Sequence, residues 1–467
     1  MSAPIGTTRT RPAHAPSASG LATRPGRWID GWNPEGPEQW AGEGRRIARR
    51  NLGWSVFAEF LGFVVWQLWS IVVVMLPAAG FALTSGQQFW LISVASLVGA
   101  TLRFPYTFMV ARFGGRNWTI VSAGLLLVPA VLLGVVVQHP ETPYPVLLLV
   151  AALGGVGGGN FASSMANITF FFPQREKGWA LGLNAAGGNI GAAVAQLLVP
   201  IAVTLGAAGT LNLSLAGFMW VPLILVAMWG AWRFMDNLSA ARSDVAGAAA
   251  ALREPHLWIM ALLYIGTFGS FIGFAGVFPK LIADQFPAFS TFSVGAASLS
   301  LAFLGALVGS LARPYGGRLA DRLGGARMTI VALGVMIAAT LALIATLPLG
   351  SFWLFLGCFL VLFCATGVGN GATYRMIPSI FAARGAATAG EEHAVSTQRQ
   401  GAAALGLISA LGAYGGFLIP QVLNASQAAS GSYVPAFWGF VAFYLALGIV
   451  TATVYLVPRA SLAGRIV

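Results

Sequence analysis

The chain has 467 residues, of which 57 % are hydrophobic and 9 % charged, and its mean hydropathy is +0.77. A composition this apolar over this length excludes an ordinary soluble domain. The two cysteines, Cys358 and Cys364, lie on different sides of one apolar segment, so neither a disulfide framework nor a metal site follows. The net charge of +12 is spread over tail and loops, which argues against a nucleic-acid footprint.

Residues 1–50 read as an Arg-, Pro- and Gly-rich tail, mobile before about Trp28, whose Ile29–Trp40 stretch lays its tryptophans against the membrane face. Its arginines precede a full-length span, not a short apolar stretch with a small-residue cleavage site, so no cleavable signal is expected. Apolar runs able to cross roughly 30 Å of hydrocarbon follow near 53–76, 88–112, 118–138, 144–172, 178–204 and 214–235. Six more lie near 256–280, 293–319, 328–348, 352–381, 400–424 and 433–457. The expected fold is an all-α membrane protein with twelve transmembrane helices. Residues 51–235 form an N-terminal six-helix bundle, 236–255 a polar cytoplasmic linker with Asp236, Arg242, Asp244, Arg253 and Glu254, and 256–467 a C-terminal bundle with a short tail.

Loop charge sets the orientation. Arg112 and Arg116, Arg175 and Lys177, Arg242 and Arg253, Arg318 with Arg322 and Arg327, and Arg384 and Arg399 occupy alternate loops, and the intervening loops carry no Lys or Arg except Lys280. Arg45, Arg46, Arg49 and Arg50 precede the first span, and Arg459 and Arg465 follow the last. Both termini are therefore expected in the cytoplasm, and the positive charge serves topology and lipid contact.

The two halves share a template. FAEFLGF at Phe57–Phe63 returns as FGSFIGF at Phe268–Phe274. Arg103 is matched 210 residues later by Arg313, and RFGG at Arg112–Gly115 by RLGG at Arg322–Gly325. The glycine-rich stretch Gly154–Pro173 (GGVGGGNFASSMANITFFFP) pairs with Gly367–Pro378 (GVGNGATYRMIP), bringing Gly157, Gly159 and Asn160 into register with Gly367, Gly369 and Asn370. Parallel repeats of six spans with glycine-rich helices at matched positions mark carriers whose substrate lies where the repeats meet. The glycines also have small-xxx-small spacing, which by itself suffices for close helix packing.

Few charges fall inside these spans: Glu59, Arg103, Arg313 and, nearer one end, Arg375. An intramembrane charge costs at least ~2.5–3.5 kcal/mol and so argues for function, though helix carbonyls could satisfy Arg375. Pseudo-symmetry brings Arg103 and Arg313 towards one axis, and Glu59 is the sole buried carboxylate available to them. Two such cations want a small anion between them. The planar guanidinium fork suits a planar oxyanion, and Phe63, Phe161, Tyr264 and Phe268 supply ring faces against which a flat anion can lie. Asn189 in GGNIG adds an amide donor, or equally an interhelical hydrogen bond. His14, His139, His256 and His393 are scattered, which leaves no metal cluster, and no nucleophile or cofactor motif suggests an enzyme. A channel fits six-plus-six repeats with buried charges less well than a carrier does.

At these residues the sequence resembles the nitrate/nitrite porter (NarK-type) family of the major facilitator superfamily. The likeness runs from Arg49 to near the end, and is carried by the two glycine–asparagine motifs and by TLRFPYTFMVARFGGRNWT (Thr101–Thr119). GGRLADRLGGAR (Gly316–Arg327) resembles the superfamily's loop motif, in which Asp321 with Arg322 would latch helix ends during rocking. Ala111 replaces the acidic residue in the first half, so any latch there must be built differently. The resemblance implies a secondary active transporter of the cytoplasmic membrane that imports nitrate or exchanges it for nitrite, without a cofactor. Arg103 and Arg313 would grip the anion, and Phe63, Phe161, Tyr264, Phe268 and Asn189 would line the site. Its expected partners are nitrate, nitrite and lipid, with the protein a monomer. Glu59 departs from the apolar first span of well-known exchangers, and it could exchange a proton with the medium, as proton symport requires. Otherwise Glu59 is a static partner for Arg103, Arg313 or the cytoplasmic gate. Nitrate/nitrite antiport without protons and carriage of another small anion are the alternatives.

Overall fold

The computed structural model describes residues 21–205, 211–241, 245–294, 296–387 and 404–457. Twelve helical segments follow one another: α1 Arg45–Val72, α2 Ser85–Phe113, α3 Gly115–Val136, α4 Tyr144–Phe171, α5 Gln174–Thr204, α6 Leu215–Phe234, α7 Pro255–Gln285, α8 Phe303–Leu323, α9 Gly325–Leu349, α10 Phe352–Phe381, α11 Ala404–Ser430 and α12 Val434–Leu456. Eleven are long and apolar enough to cross a membrane. The twelfth, α8, carries Arg313, Arg318, Asp321 and Arg322 within its 21 residues, so its apolar run is broken by these charges.

The repeat is visible in the backbone. α2 passes to α3, and α8 to α9, through single glycines: Gly114 at φ 87°, ψ 149° and Gly324 at φ 96°, ψ 137°. Side chains with a Cβ rarely adopt this region, so the glycine of each RFGG/RLGG motif is a conformational requirement. The glycine-rich helices pack backbone to backbone. A Cβ on Gly157 would run into the carbonyl of Gly62 in α1, and one on Gly367 into that of Gly309 in α8. Close approach of this kind is how membrane helices gain contact without a hydrophobic drive. Gly159 packs on Tyr106 and Leu102 of α2, and Gly369 on Thr267 of α7.

Three boundaries differ from expectation. The eighth span begins at Phe303, because Phe292–Val294 and Ala297–Leu299 pair antiparallel as a small hairpin; the Ser- and Thr-rich stretch satisfies its backbone by strand pairing instead. α1 begins at Arg45, inside the stretch assigned to the tail. Part of the stretch expected to be mobile before Trp28 is built into a sheet. Ala22–Arg24 (β1) pairs with Trp28–Asp30 (β2), which pairs in parallel with Asn237–Leu238 (β3) just after α6.

Asp236 anchors that sheet. It is buried and accepts hydrogen bonds from Arg27 Nη2 (2.7 Å), Arg50 Nη2 (2.7 Å) and Asn51 Nδ2 (2.9 Å). Trp32 Nε1 donates to the Phe170 carbonyl (3.1 Å) and Trp40 Nε1 to Glu176 (3.0 Å), so Ile29–Trp40 does lie against the bundle end. In this half the clamp lacking at Ala111 is supplied by tail and linker, and Asn237 packs against Gly114. In the other half Asp321 pairs with Arg375 of α10, not with Arg322. Arg375 is therefore not buried within its span. About half of its side chain is exposed, because it stands on an open face of α10, while Met376, Ile377, Ile380 and Phe381 beyond it are buried. The side chains of Arg242, Asp244, Arg384, Arg399, Arg459 and Arg465 fall outside the described residues.

The two clamps should differ in worth. Asp236→Ala is expected to cost about 3 kcal/mol, since it strands two arginines at a buried site, and Asp321→Ala at most about 1 kcal/mol, being a half-exposed pair. Thermal unfolding of detergent-solubilised protein followed by tryptophan fluorescence checks the order. Equal losses would contradict it.

Candidate functional site

Arg103 and Arg313 occupy matched positions on α2 and α8, each beside an in-helix proline, Pro105 and Pro314. Proline withholds an N–H from the preceding turn and loosens it. Both arginines are buried, at 0 % and 5 % exposure. Their guanidinium carbons share the ring of Phe161 on α4, at 4.6 Å and 5.9 Å from its centroid. Arg103 also lies over Phe268 (5.3 Å) and Trp66 (5.4 Å), and Arg313 over Tyr374 (5.4 Å). Cations over ring faces are attracted by the ring quadrupole, more strongly when desolvated.

The rings form a continuous stack. Phe161 and Phe268 are 6.3 Å apart at 23°, Phe268 and Tyr264 5.2 Å apart at 18°, and Phe63 stands edge-on to Phe161 at 6.3 Å. Phe268 falls where α7 widens into a π-turn, Ile265–Gly269, a local distortion common at functional sites.

The hydrogen bonds are uneven. Arg103 donates from Nε to the Gly158 carbonyl (3.0 Å), and from Nη1 to the carbonyl (3.0 Å) and hydroxyl (2.9 Å) of Ser409 on α11. Arg313 has one long bond, from Nη2 to Tyr264 Oη (3.4 Å). Arg103 Nη2, Arg313 Nη1 and Tyr374 Oη are buried without a protein partner. Among the described residues no carboxylate lies within 4.0 Å of either guanidinium. Two permanent cations with unspent donors in an apolar, ring-lined space can bind an anion through charge-assisted hydrogen bonds.

Glu59 of α1 is fully buried in the same bundle, but its Oε2 accepts from Ser164 Oγ (2.9 Å), which in turn accepts from Asn184 Nδ2 (2.8 Å). Its Oε1 has no protein partner. Gly188 of α5 packs on both Glu59 and Phe63. Asn189, Asn160 and Asn370 are all buried with both amide atoms unbonded. Asp321 and Arg322 lie at the C-terminal end of α8, about two turns beyond Arg313.

Ser409, Tyr374, Trp66, Ser164 and Asn184 join the chamber without having been expected there. Tyr374 stands inside the second glycine–asparagine motif, a signal that could have found it. Ser409 lies among small residues in α11, where nothing in the sequence distinguishes it.

Two six-helix bundles related by a repeat, closing around a buried cation pair, define a membrane carrier. The sequence model of the Major Facilitator Superfamily matches residues 58–390. The chain is 43 % identical over 451 residues to the nitrate/nitrite transporter NarU of Salmonella typhimurium, covering 91 % of this chain and 96 % of that one. Identity is 41 % over 446 residues with NarU of Escherichia coli (91 % and 95 %), and 37 % over 445 with the probable nitrate/nitrite antiporter NarK2 of Thermus thermophilus (91 % and 95 %). The chain belongs to the major facilitator superfamily, in its NarK-type nitrate/nitrite porter branch. It is a multi-pass transporter of the inner membrane and not an enzyme.

Proposed function

We propose that the chain carries nitrate and nitrite across the inner membrane by alternating access, with the anion gripped between Arg103 and Arg313. One observation carries this reading: two guanidinium groups share the Phe161 ring, each with an unspent buried donor, and among the described residues no carboxylate pairs with them. The ring stack favours a flat, weakly hydrated anion over a tetrahedral one, and the names of the relatives agree in substrate. Asn189 supplies a further amide to the site. The face that carries the tail is the cytoplasmic one, as loop charge requires. Between cations the empty site resists closure, and a bound anion removes that resistance, so loaded carriers change orientation more readily.

Glu59 is the proton carrier in this reading. Among the described residues it is the one carboxylate within the membrane interior that is not tied into an ion pair, and Ser164 can bond it in either protonation state. Nitrate/nitrite antiport without protons is the second reading, favoured by the likeness to NarK2. Proteoliposomes holding no nitrite and a pH dye separate the two. Nitrate entry with internal acidification, abolished by Glu59→Gln while nitrate/nitrite exchange persists, is the expected result. Entry that begins only after nitrite is loaded inside, without a pH change, returns Glu59 to structure.

A further inference from the structure

Among the described residues, polar contacts between the bundles run from mid-depth to the face opposite the tail. Besides Arg103 with Ser409, Thr101 Oγ1 bonds Tyr414 Oη (2.9 Å) and Gln421 Nε2 donates to Ser93 Oγ (2.6 Å). Gln196 Nε2 donates to the Ala275 carbonyl (2.7 Å), and Ser298 N to Thr204 Oγ1 (2.8 Å). On the tail face the bonds of Asp236 and Asp321 stay inside one bundle.

Besides Arg103, a second cation lies in that seam. Lys280, expected at the end of a span, sits within α7, which continues to Gln285, and its side chain is 3 % exposed. Nζ pairs with Asp284 (3.0 Å), donates to Gln88 Oε1 of α2 (2.8 Å) and lies over the Phe89 ring at 5.1 Å. Tyr433 Oη donates to Asp284 (2.5 Å), and the Tyr433 ring stands edge-on to Phe89 at 6.2 Å. Lys280, Asp284 and Tyr433 belong to the C-terminal bundle, and Gln88 and Phe89 to the N-terminal one. A cation neutralised by its own bundle is thus seated in an acceptor-and-ring socket on the other.

We propose that Lys280 is a plug that holds the bundles shut on the face opposite the tail, and that its withdrawal from Gln88 and Phe89 is a step of every transport cycle; this rests on the alternating-access reading above. A buried ion pair adds little net stability, and its best-attested use is to specify one arrangement over another. Here neither arrangement strands the charge. When closed, Gln88 and the ring satisfy Nζ; when open, water replaces them and Asp284 stays in place. The plug is therefore reversible, and its socket sets the balance of the two orientations.

The test places spin labels at Ser85 of α2 and Ala428 of α11, after Cys358→Ser and Cys364→Ser, in lipid nanodiscs with and without nitrate. Their distance distribution reads opening of this face. Gln88→Leu leaves a donor unsatisfied only in the closed form, and should raise the open-to-closed ratio about tenfold or more, as loss of one bond to a charged group does. Lys280→Met combined with Asp284→Asn and Gln88→Leu puts an apolar stem into an apolar socket and should lower that ratio. Distributions like the parent's in both variants, while the parent itself shows two distances, overturn the plug alone. A parent with a single distance under every nitrate condition overturns alternating access and the plug with it.

Discussion

Nitrate uptake by proteoliposomes should fall about tenfold to a hundredfold in Arg103→Lys and in Arg313→Lys, although each keeps its charge. The loss is that of a charge-assisted hydrogen bond whose geometry an ammonium cannot reproduce, about 1.5–3 kcal/mol. The two variants should fail differently. Arg103 already spends Nε and Nη1 on the Gly158 carbonyl and on Ser409 across the bundle interface. One Nζ cannot serve both and an anion, so Arg103→Lys should lower the maximal rate and the thermal stability together. Arg313 has only the long bond to Tyr264, so Arg313→Lys should act mainly on the nitrate concentration needed for half-maximal uptake. Unaltered uptake by both variants would sink the two-arginine site.

Gly367→Val should abolish recovery of monodisperse protein, whereas Gly357→Val on the same helix should leave it intact. A Cβ at Gly367 meets the carbonyl of Gly309 and the methyl of Ala312 in α8, and one at Gly357 meets nothing within 4 Å. Overpacking commonly costs 1–3 kcal/mol where side chains can move aside. At Gly367 the obstacle is backbone, so α8 and α10 must separate and Arg313 moves with α8. Size-exclusion profiles in mild detergent read the outcome. Similar profiles for the two variants would show that α8 and α10 do not depend on this contact.

Hydrocarbon thickness makes each span but α8 a long apolar run, so the number of helices is largely legible in the composition of the chain. Duplication leaves an offset of 210 that pairs Arg103 with Arg313 and Gly114 with Gly324. Boundaries are less legible where polar residues let the chain choose between helix and strand, as at Phe292–Leu299, or where distant segments complete a sheet, as Asn237–Leu238 does for the tail. Arg375 lies outside the core it was expected to enter because it falls on an open face of α10, whose neighbours Met376 and Ile377 are buried, and a sequence does not say which face of a helix its neighbours cover.

The membrane-spanning helices, the two-fold repeat and the residue types at the centre are thus written in the chain itself, because periodicity and the cost of charge in hydrocarbon act locally along it. What those residues touch is a matter of tertiary packing. Packing holds Arg103 by Ser409 more than three hundred residues away, bonds Glu59 to Ser164, joins Asp321 to Arg375 and seats Lys280 against Gln88. Such partners are chosen by how helices cross, and crossing is set by backbone approaches such as Gly157 on Gly62, which no single stretch of sequence contains.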